Sequence, residues 1–228
     1  MSSSDISKIY INISKFTDKI IVKNRLKMLN VIKNQINKET IESVLDIGTT
    51  EDKNYISSNF IIENLGEFKN YKSISDQNIK SDFFHNRLKK SITENFSSDE
   101  INNFKSDLVI SNATIEHVGS FKNQLKMCDN IIKLAKKYFI IITPNRYHPI
   151  EFHTKLPLIH WLPKNIHRLI LSKIGLNFHS KETNLNLLSE NDLNILITKC
   201  NHSNFLIKKT YFLFFKSNLL VIGKKILS

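Results

Sequence analysis

Glycine, proline and cysteine are scarce in this 228-residue chain, with 5 Gly, 4 Pro and 2 Cys, and there is a single Trp. So few glycines leave no Gly-x-Gly-x-x-Gly run, and with it goes the turn that cradles a pyrophosphate in nicotinamide dehydrogenases. Cys128 and Cys200 stand far apart and neither belongs to a Cys-x-x-Cys pair. That argues against thiolate metal and redox motifs, and two reduced thiols in a cytoplasmic protein are expected. Long apolar runs are missing too. Stretches such as Phe139 to Ile142 fall far short of the roughly 20 residues that a membrane-spanning helix needs. The polar N-terminus has no hydrophobic segment of the secretory kind. Acidic residues are outnumbered, 21 Asp and Glu against 33 Lys and Arg, for a formal charge of +12. Such an excess attracts nucleic acid or anionic membrane. Here Lys far outnumbers Arg, Lys, Asn and Ile are abundant throughout, and no Arg-rich stripe accompanies the charge. The excess therefore reads as a composition bias spread over the surface, and a nucleic-acid partner is not expected.

What is present is an apolar content of 41% with 10% aromatics, which suits one globular domain with an elaboration. Residues 1–40 read as a helical cover: between Lys23 and Ile36, the residues Leu26, Leu29, Ile32 (or Val31) and Ile36 recur at helical spacing. Residues 41–228 alternate strands with helices. Buried strands are expected at Ser43 to Ile47, Tyr71 to Asp76, Asp107 to Asn112 and Tyr138 to Thr143, with a further candidate at Leu88 to Ile92. A short helix capped by Ser57 or Ser58 should stop at Gly66, and an amphipathic helix should run from Ser120 to Lys137. Ser97 to Phe104 reads as irregular. Ser189-Glu-Asn-Asp192 resembles a capping box opening a helix to about Lys199. Two closing strands, Phe205 to Phe215 and Leu219 to Ile222, have too short a connection for a crossover and should be antiparallel neighbours. The pattern specifies an α/β fold: a Rossmann-like, mostly parallel seven-stranded sheet with an antiparallel last strand and helices on both faces.

In such a sheet, ligands bind beyond the carboxyl ends of the strands. Asp46-Ile-Gly48 stands at one such end, where the acid can accept hydrogen bonds and the glycine removes a Cβ. Asp76 ends the second strand and Asn112 the fourth. His117 follows the fourth strand, and histidine is the residue type suited to proton transfer near neutral pH.

The segment Asp107-Leu-Val-Ile-Ser-Asn-Ala-Thr-Ile-Glu-His-Val118 resembles the fourth-strand motif of class I S-adenosylmethionine-dependent methyltransferases, in their small-molecule, type 11-like branch. Leu45-Asp-Ile-Gly48 is similar to the first motif of that family, and Thr143-Pro-Asn-Arg146 to a frequent ending of the fifth strand. The resemblance spans about Glu42 to Lys224. It implies S-adenosyl-L-methionine as cofactor, held by Asp46, Gly48, Thr49, Asp76 and Asn112. It implies His117 as base or acceptor-orienting group, with Glu116 beside it, and methyl transfer to an oxygen or nitrogen of a small-molecule or glycan- or lipid-linked acceptor. Where the family continues Gly-x-Gly, this chain has Thr50 and Asp52. A noncatalytic binding or scaffold protein with an impaired cofactor loop is therefore the alternative, and RNA methylation is a third reading that rests on charge alone.

Residues 148–180 form an insertion after the fifth strand, read as a lid over the acceptor. His148 to Gly175 holds the only Trp, three of the four Pro and four of the eight His. Asn145, Arg146, Glu151 and His153 are candidate acceptor-binding groups. His148, Glu151 and His153 make no tight metal-ligand motif, and no metal is expected. The apolar run Leu156 to Leu162, followed by Lys164, His167, Arg168 and Lys173, makes residues 156–173 a candidate for peripheral membrane contact.

Overall fold

Short β-branched and apolar runs, each bounded by polar turns, make the strands of this chain. The computed structural model describes residues 21–52, 58–212 and 214–225. Residues 1–20 of the N-terminal cover, and the candidate cap Ser57, lie outside the described residues.

Helix α1 occupies residues 21–33, and Met28, Leu29 and Ile32 are its buried face. Then follow β1 (Ser43–Ile47), α2 (Phe60–Asn64), β2 (Asn70–Ser75), β3 (Asn86–Lys89), α3 (Ser98–Phe104) and β4 (Ser106–Asn112). The chain continues through α4 (Phe121–Leu134), β5 (Ala135–Pro144), α5 (Lys164–Lys173), α6 (Asn177–Ser180) and α7 (Glu190–Lys199), and closes with β6 (Phe205–Phe212) and β7 (Phe215–Lys224). The seven strands form one sheet in the order β3-β2-β1-β4-β5-β7-β6. β1 to β5 pair in parallel, and β7 runs antiparallel between β5 and β6.

Side chains alternate between the faces of a strand, and this sorts the core into two layers. Leu45, Ile47, Val109, Phe139, Ile141 and Val221 pack with residues of α3, α4 and α7. Val44, Leu108, Ile110, Ile140, Ile142 and Leu220 pack with α1 and α2. The topology reverses at the β1–β4 boundary, because β1 connects outward to β2 while β4 returns on its other side. A ligand crevice belongs at that switch point.

Several details depart from the sequence reading, and the third strand, expected at Leu88 to Ile92, is Asn86–Lys89. Ser97 to Glu100 is a complete capping box, and it opens a regular helix where an irregular stretch is expected. The polar run conceals it because only Phe104 of that helix is buried. Helix α2 starts after Asn59 in the left-handed region, with no side-chain cap from Ser58. Helix α4 ends at Leu134, since Ala135 already pairs with Ser106 in the sheet. Residues 216–218 belong to β7 rather than to the final turn: Thr210 pairs with Asn218 and Phe212 with Phe215. Backbone pairing admits the polar Ser217 because its hydroxyl meets that of Thr210 at 3.2 Å. Among the described residues, no helix is long and apolar enough to cross a membrane.

Candidate active site

The carboxyl ends of β1 and β4 enclose a cavity of about 240 Å³, lined by Arg25, Asp46, Gly48, Thr50, Asn59 and Asn112 among others. Asp46 is buried at 6% exposure. Burial pushes its carboxyl up to about 6, against the opposing hydrogen bond from Thr49, while the charge of Glu63 adds to the rise. That bond runs from Thr49 Oγ1 to Asp46 Oδ2 at 2.6 Å. The Thr49 carbonyl in turn accepts from Ser75 Oγ at 2.7 Å, so the ends of β1 and β2 are tied together behind the cavity.

Gly48 has φ +85, and a Cβ there would stand 2.2 Å from Thr114 Oγ1. The glycine is thus required by the turn and by Thr114. The clearance expected for a ligand is filled by the protein's own side chain. Beyond it, the loop that lacks the two glycines is held by side chains. Asn59 Oδ1 accepts from the Thr50 amide at 3.2 Å and its Nδ2 donates to the Thr50 carbonyl at 2.8 Å. Gln77 Oε1 accepts from Thr50 Oγ1 and from the Glu51 amide, both at 3.2 Å. Asp76 lies just past β2, exposed and outside the residues lining the cavity.

Arg25 enters the cavity from α1. Its Nη1 donates to Asn112 Oδ1 at 2.7 Å. Burial lowers its proton affinity, and the nearby charge of Glu116 works the other way.

A second group of side chains gathers beside the end of β4. After Asn112 the chain makes a short 3-10 turn, Ile115–His117, which sends Glu116 inward and leaves His117 exposed. Glu116 is fully buried and its Oε2 accepts from Thr143 Oγ1 at 2.9 Å. It does not turn to its neighbour His117. The His117 ring instead meets the Asn184 carbonyl through Nδ1 at 2.7 Å. Since a carbonyl only accepts, Nδ1 carries the proton and Nε2 is left with a lone pair. The ring of His153 packs edge-on to that of His117, with centroids 4.8 Å apart. His153 Nδ1 meets Glu151 Oε1 at 2.6 Å. Glu151 also accepts from the backbone amides of His153 and Thr154. Burial opposes ionisation of Glu151, but these bonds and the His153 charge outweigh it and hold the carboxyl at about 2. For His153, burial lowers the imidazole, yet Glu151 and Glu116 together raise it above its usual value.

No family model matches the chain, and no curated protein matches its sequence. Solved structures do. A Burkholderia thailandensis 1,6-didemethyltoxoflavin-N1-methyltransferase, bound to 1,6-didemethyltoxoflavin and S-adenosylhomocysteine, superposes with a TM-score of 0.54 at 10% identity, covering 98% of this chain and 86% of the other. Human N-acetylserotonin methyltransferase in complex with S-adenosylmethionine gives 0.56 at 10% identity over 92% of this chain, which spans about half of the human one, 53%. An S-adenosylmethionine-dependent methyltransferase from Archaeoglobus fulgidus gives 0.52 at 14% identity, over 88% and 94% of the two chains. The fold is that of the class I S-adenosylmethionine-dependent methyltransferases.

Within this methyltransferase fold, Asp46, Gly48 and Asn112 meet at one cavity, with Thr49 directly behind it. Glu116, His117, Glu151 and His153 meet beside it. Asn145 and Arg146 are engaged elsewhere. Asn145 Nδ2 donates to the Lys216 carbonyl at 2.9 Å. Arg146 donates to the carbonyls of His160 at 3.1 Å and Leu162 at 2.7 Å, fastening the lid to the end of β5. Arg25, Asn59 and Gln77 are site residues that sequence reading misses. Arg25 stands on the polar side of a cover helix, and only its contact with Asn112 distinguishes it from the other cations there.

The lid itself presents apolar side chains outward. Leu169 is 56% and Phe178 64% exposed, and Leu158, Trp161, Leu162, Ile166 and Ile174 are exposed too. Its basic residues are partly bound: Lys164 Nζ donates to Asn186 Oδ1 at 2.8 Å, and Arg168 pairs with Glu182 at 3.0 Å.

Proposed function

We propose that this chain is an S-adenosylmethionine-dependent methyltransferase that moves a methyl group to an oxygen, or to a nitrogen, of a small-molecule acceptor. One observation carries the reading. The cavity at the topological switch point is lined by a buried acid, Asp46, and by the partly buried guanidinium of Arg25. The amino-acid end of S-adenosylmethionine is a zwitterion, and these two groups complement its ammonium and its carboxylate. Asn112 would orient Arg25, and Gly48 with Thr49 would shape the wall. Asp76, exposed at the next strand end, remains the candidate for the ribose hydroxyls.

The rival reading, a binding or scaffold protein, is favoured by Thr50 and Asp52 in place of glycines. Asn59 and Gln77 hold Thr50 and Glu51, and the Asp52 amide donates to Thr50 Oγ1, which speaks for an ordered substitute loop.

When bound, the cofactor supplies a methyl group already activated on a sulfonium. Much of what the protein must add is alignment. His117 Nε2, freed by the Nδ1 bond to Asn184, takes the proton of an acceptor hydroxyl or orients the acceptor. Glu151 and His153 would line the acceptor side. Arg146 secures the lid that selects the acceptor. The outward apolar ridge of the lid, with Lys164 and Arg168 bound internally, supports a lipid-linked or otherwise amphipathic acceptor. It also supports peripheral contact of residues 156–173 with a membrane through apolar rather than charged groups.

The test is calorimetric titration of the folded protein with S-adenosylmethionine and, separately, S-adenosylhomocysteine. Micromolar binding that weakens about 10-fold or more in Arg25→Ala is expected, the loss of one charge-assisted bond. Absence of heat at millimolar ligand would leave the scaffold reading standing.

A further inference from the structure

Glu116, His117 and His153 each offer one donor atom, and the three atoms lie within 4.8 Å of one another. We infer that these side chains form a binding site for a divalent transition-metal cation of the zinc class.

Three features beyond proximity carry the assignment. First, Glu116 is fully buried and its Oε1 has no hydrogen-bond partner, although Oε2 is bound by Thr143. A buried carboxylate oxygen left bare is costly unless something cationic completes it. Second, both imidazoles are already oriented as metal ligands are. Each commits Nδ1 to an oxygen, His117 to the Asn184 carbonyl at 2.7 Å and His153 to Glu151 Oε1 at 2.6 Å. This fixes the tautomer and leaves Nε2 as the donor, the arrangement by which outer groups hold metal-bound histidines. Third, Glu151 is itself buried and takes two backbone amides besides His153, so the orienting group does not move.

Two imidazoles and one carboxylate suit zinc, iron(II) or cobalt(II), whereas magnesium and calcium prefer oxygen donors alone. Metal–donor bonds of about 2.0–2.2 Å place the donors of a tetrahedral site roughly 3 to 3.5 Å apart. Donor atoms as far as 4.8 Å apart must close by about 1.3 to 1.8 Å, a movement available by side-chain rotation of the exposed His117. Three protein ligands leave a fourth position free. On the methyl-transfer reading, on which this role alone rests, that position would take the acceptor's hydroxyl oxygen. His117 Nε2 is then a ligand and not the base, the acidified hydroxyl proton passes to solvent, and the methyl group leaves the sulfonium as a thioether and joins the oxygen.

The triple escapes sequence reading because its members come from the turn after β4 and from the lid. The nearer set, His148, Glu151 and His153, does not assemble. The His148 ring meets the Ile150 carbonyl and stacks on Phe152.

The experiment is titration of metal-stripped, full-length protein with ZnCl₂ alone, with cobalt(II) as an absorbance probe and S-adenosylmethionine titrated in parallel. One zinc equivalent is expected to bind, unaffected by excess magnesium. His117→Gln and His153→Gln should each weaken it about 10-fold or more, and Glu151→Gln, which alters only the orientation of His153, about 10- to 100-fold. His179→Gln, in the lid but outside the cluster, should leave it unchanged. Glu116→Gln alters a buried group, so the partly exposed histidines decide the outcome. No saturable zinc binding, or binding that survives the double His117→Gln/His153→Gln variant, overturns the site. Cofactor heat without zinc binding sinks the metal site and keeps methyl transfer; zinc binding without cofactor heat does the reverse.

Discussion

The two halves of the sheet's carboxyl edge are built in opposite ways. On the β1–β2 side, the groups around the cavity are neighbours in sequence or in register: Asp46, Gly48, Thr49, Ser75 and Gln77 follow the ends of two paired strands. Their hydrogen bonds run mostly among themselves. On the β4–β5 side, Glu116 and His117 meet His153 and Glu151 only because the lid folds back over the sheet. A site formed by adjacent strand ends is specified by the core. A site completed by an insertion depends on how that insertion packs, and here Arg146 and Asn184 do the fastening. On the proposed methyl-transfer reading, acceptor choice changes through the insertion without disturbing the donor side.

The largest expected effect tests the donor side as a fixed wall. Gly48→Val adds a Cβ 2.2 Å from Thr114 Oγ1 at φ +85, and urea unfolding should show a loss of about 3–5 kcal/mol from strain and overpacking together. Gly175→Ala sharpens the contrast. Its φ is +83 but nothing lies within 4 Å, so backbone strain alone should cost about 1 kcal/mol. Equal losses in the two variants would show that Thr114 is not a wall.

Next comes the separation of the two halves. His117→Ala should lower turnover about 10²- to 10⁴-fold, the range for loss of a general base. S-adenosylmethionine affinity, measured calorimetrically, should hold within about 3-fold. A parallel loss of both would dissolve the distinction between donor and acceptor sides.

Asp46 gives a pH test. Its carboxyl lies at about 6 in the folded protein against an ordinary 3.8. Between those values the native state binds more protons than the unfolded one, so this group's contribution falls as pH rises through about 6. Asp46→Asn should thus be more stable than the parent near neutrality, by on the order of 3 kcal/mol at most, with the difference vanishing towards pH 4. Parallel stability curves across that window would contradict the burial of Asp46 as the cause.

The smallest effect belongs to the lid surface. Leu169→Ser and Phe178→Ser replace side chains that are more than half exposed, so unfolding should shift by no more than about 0.5 kcal/mol. If the ridge meets an amphipathic acceptor, its KM should rise while S-adenosylmethionine affinity stays constant.

The central strands are legible because short continuous apolar runs bounded by Gly, Asn or Pro suit strands buried on both faces. Ser43–Ile47 is read with the bounds that the structure has, and the Ser189 capping box likewise opens α7 where expected. Helix α3 was hidden because it buries one residue, so periodicity had nothing to report, although its Ser97 and Glu100 cap was there to be seen. On the donor side, Asp46 and Gly48 carried a local signal, whereas Arg25, Asn59 and Gln77 are ordinary polar residues until the fold makes them face a cavity.

The sequence by itself determined the strand–helix alternation, the two apolar layers and the acid-and-glycine end of β1, since hydrophobic periodicity and turn chemistry are local properties. Only the tertiary structure decided that Gly48 yields its space to Thr114, that Arg146 fastens the insertion, and that Glu116, bound by Thr143 through Oε2, leaves Oε1 unpartnered near two histidines. Those outcomes depend on which side chains from distant segments occupy the same few ångströms, and local patterns hold no record of that.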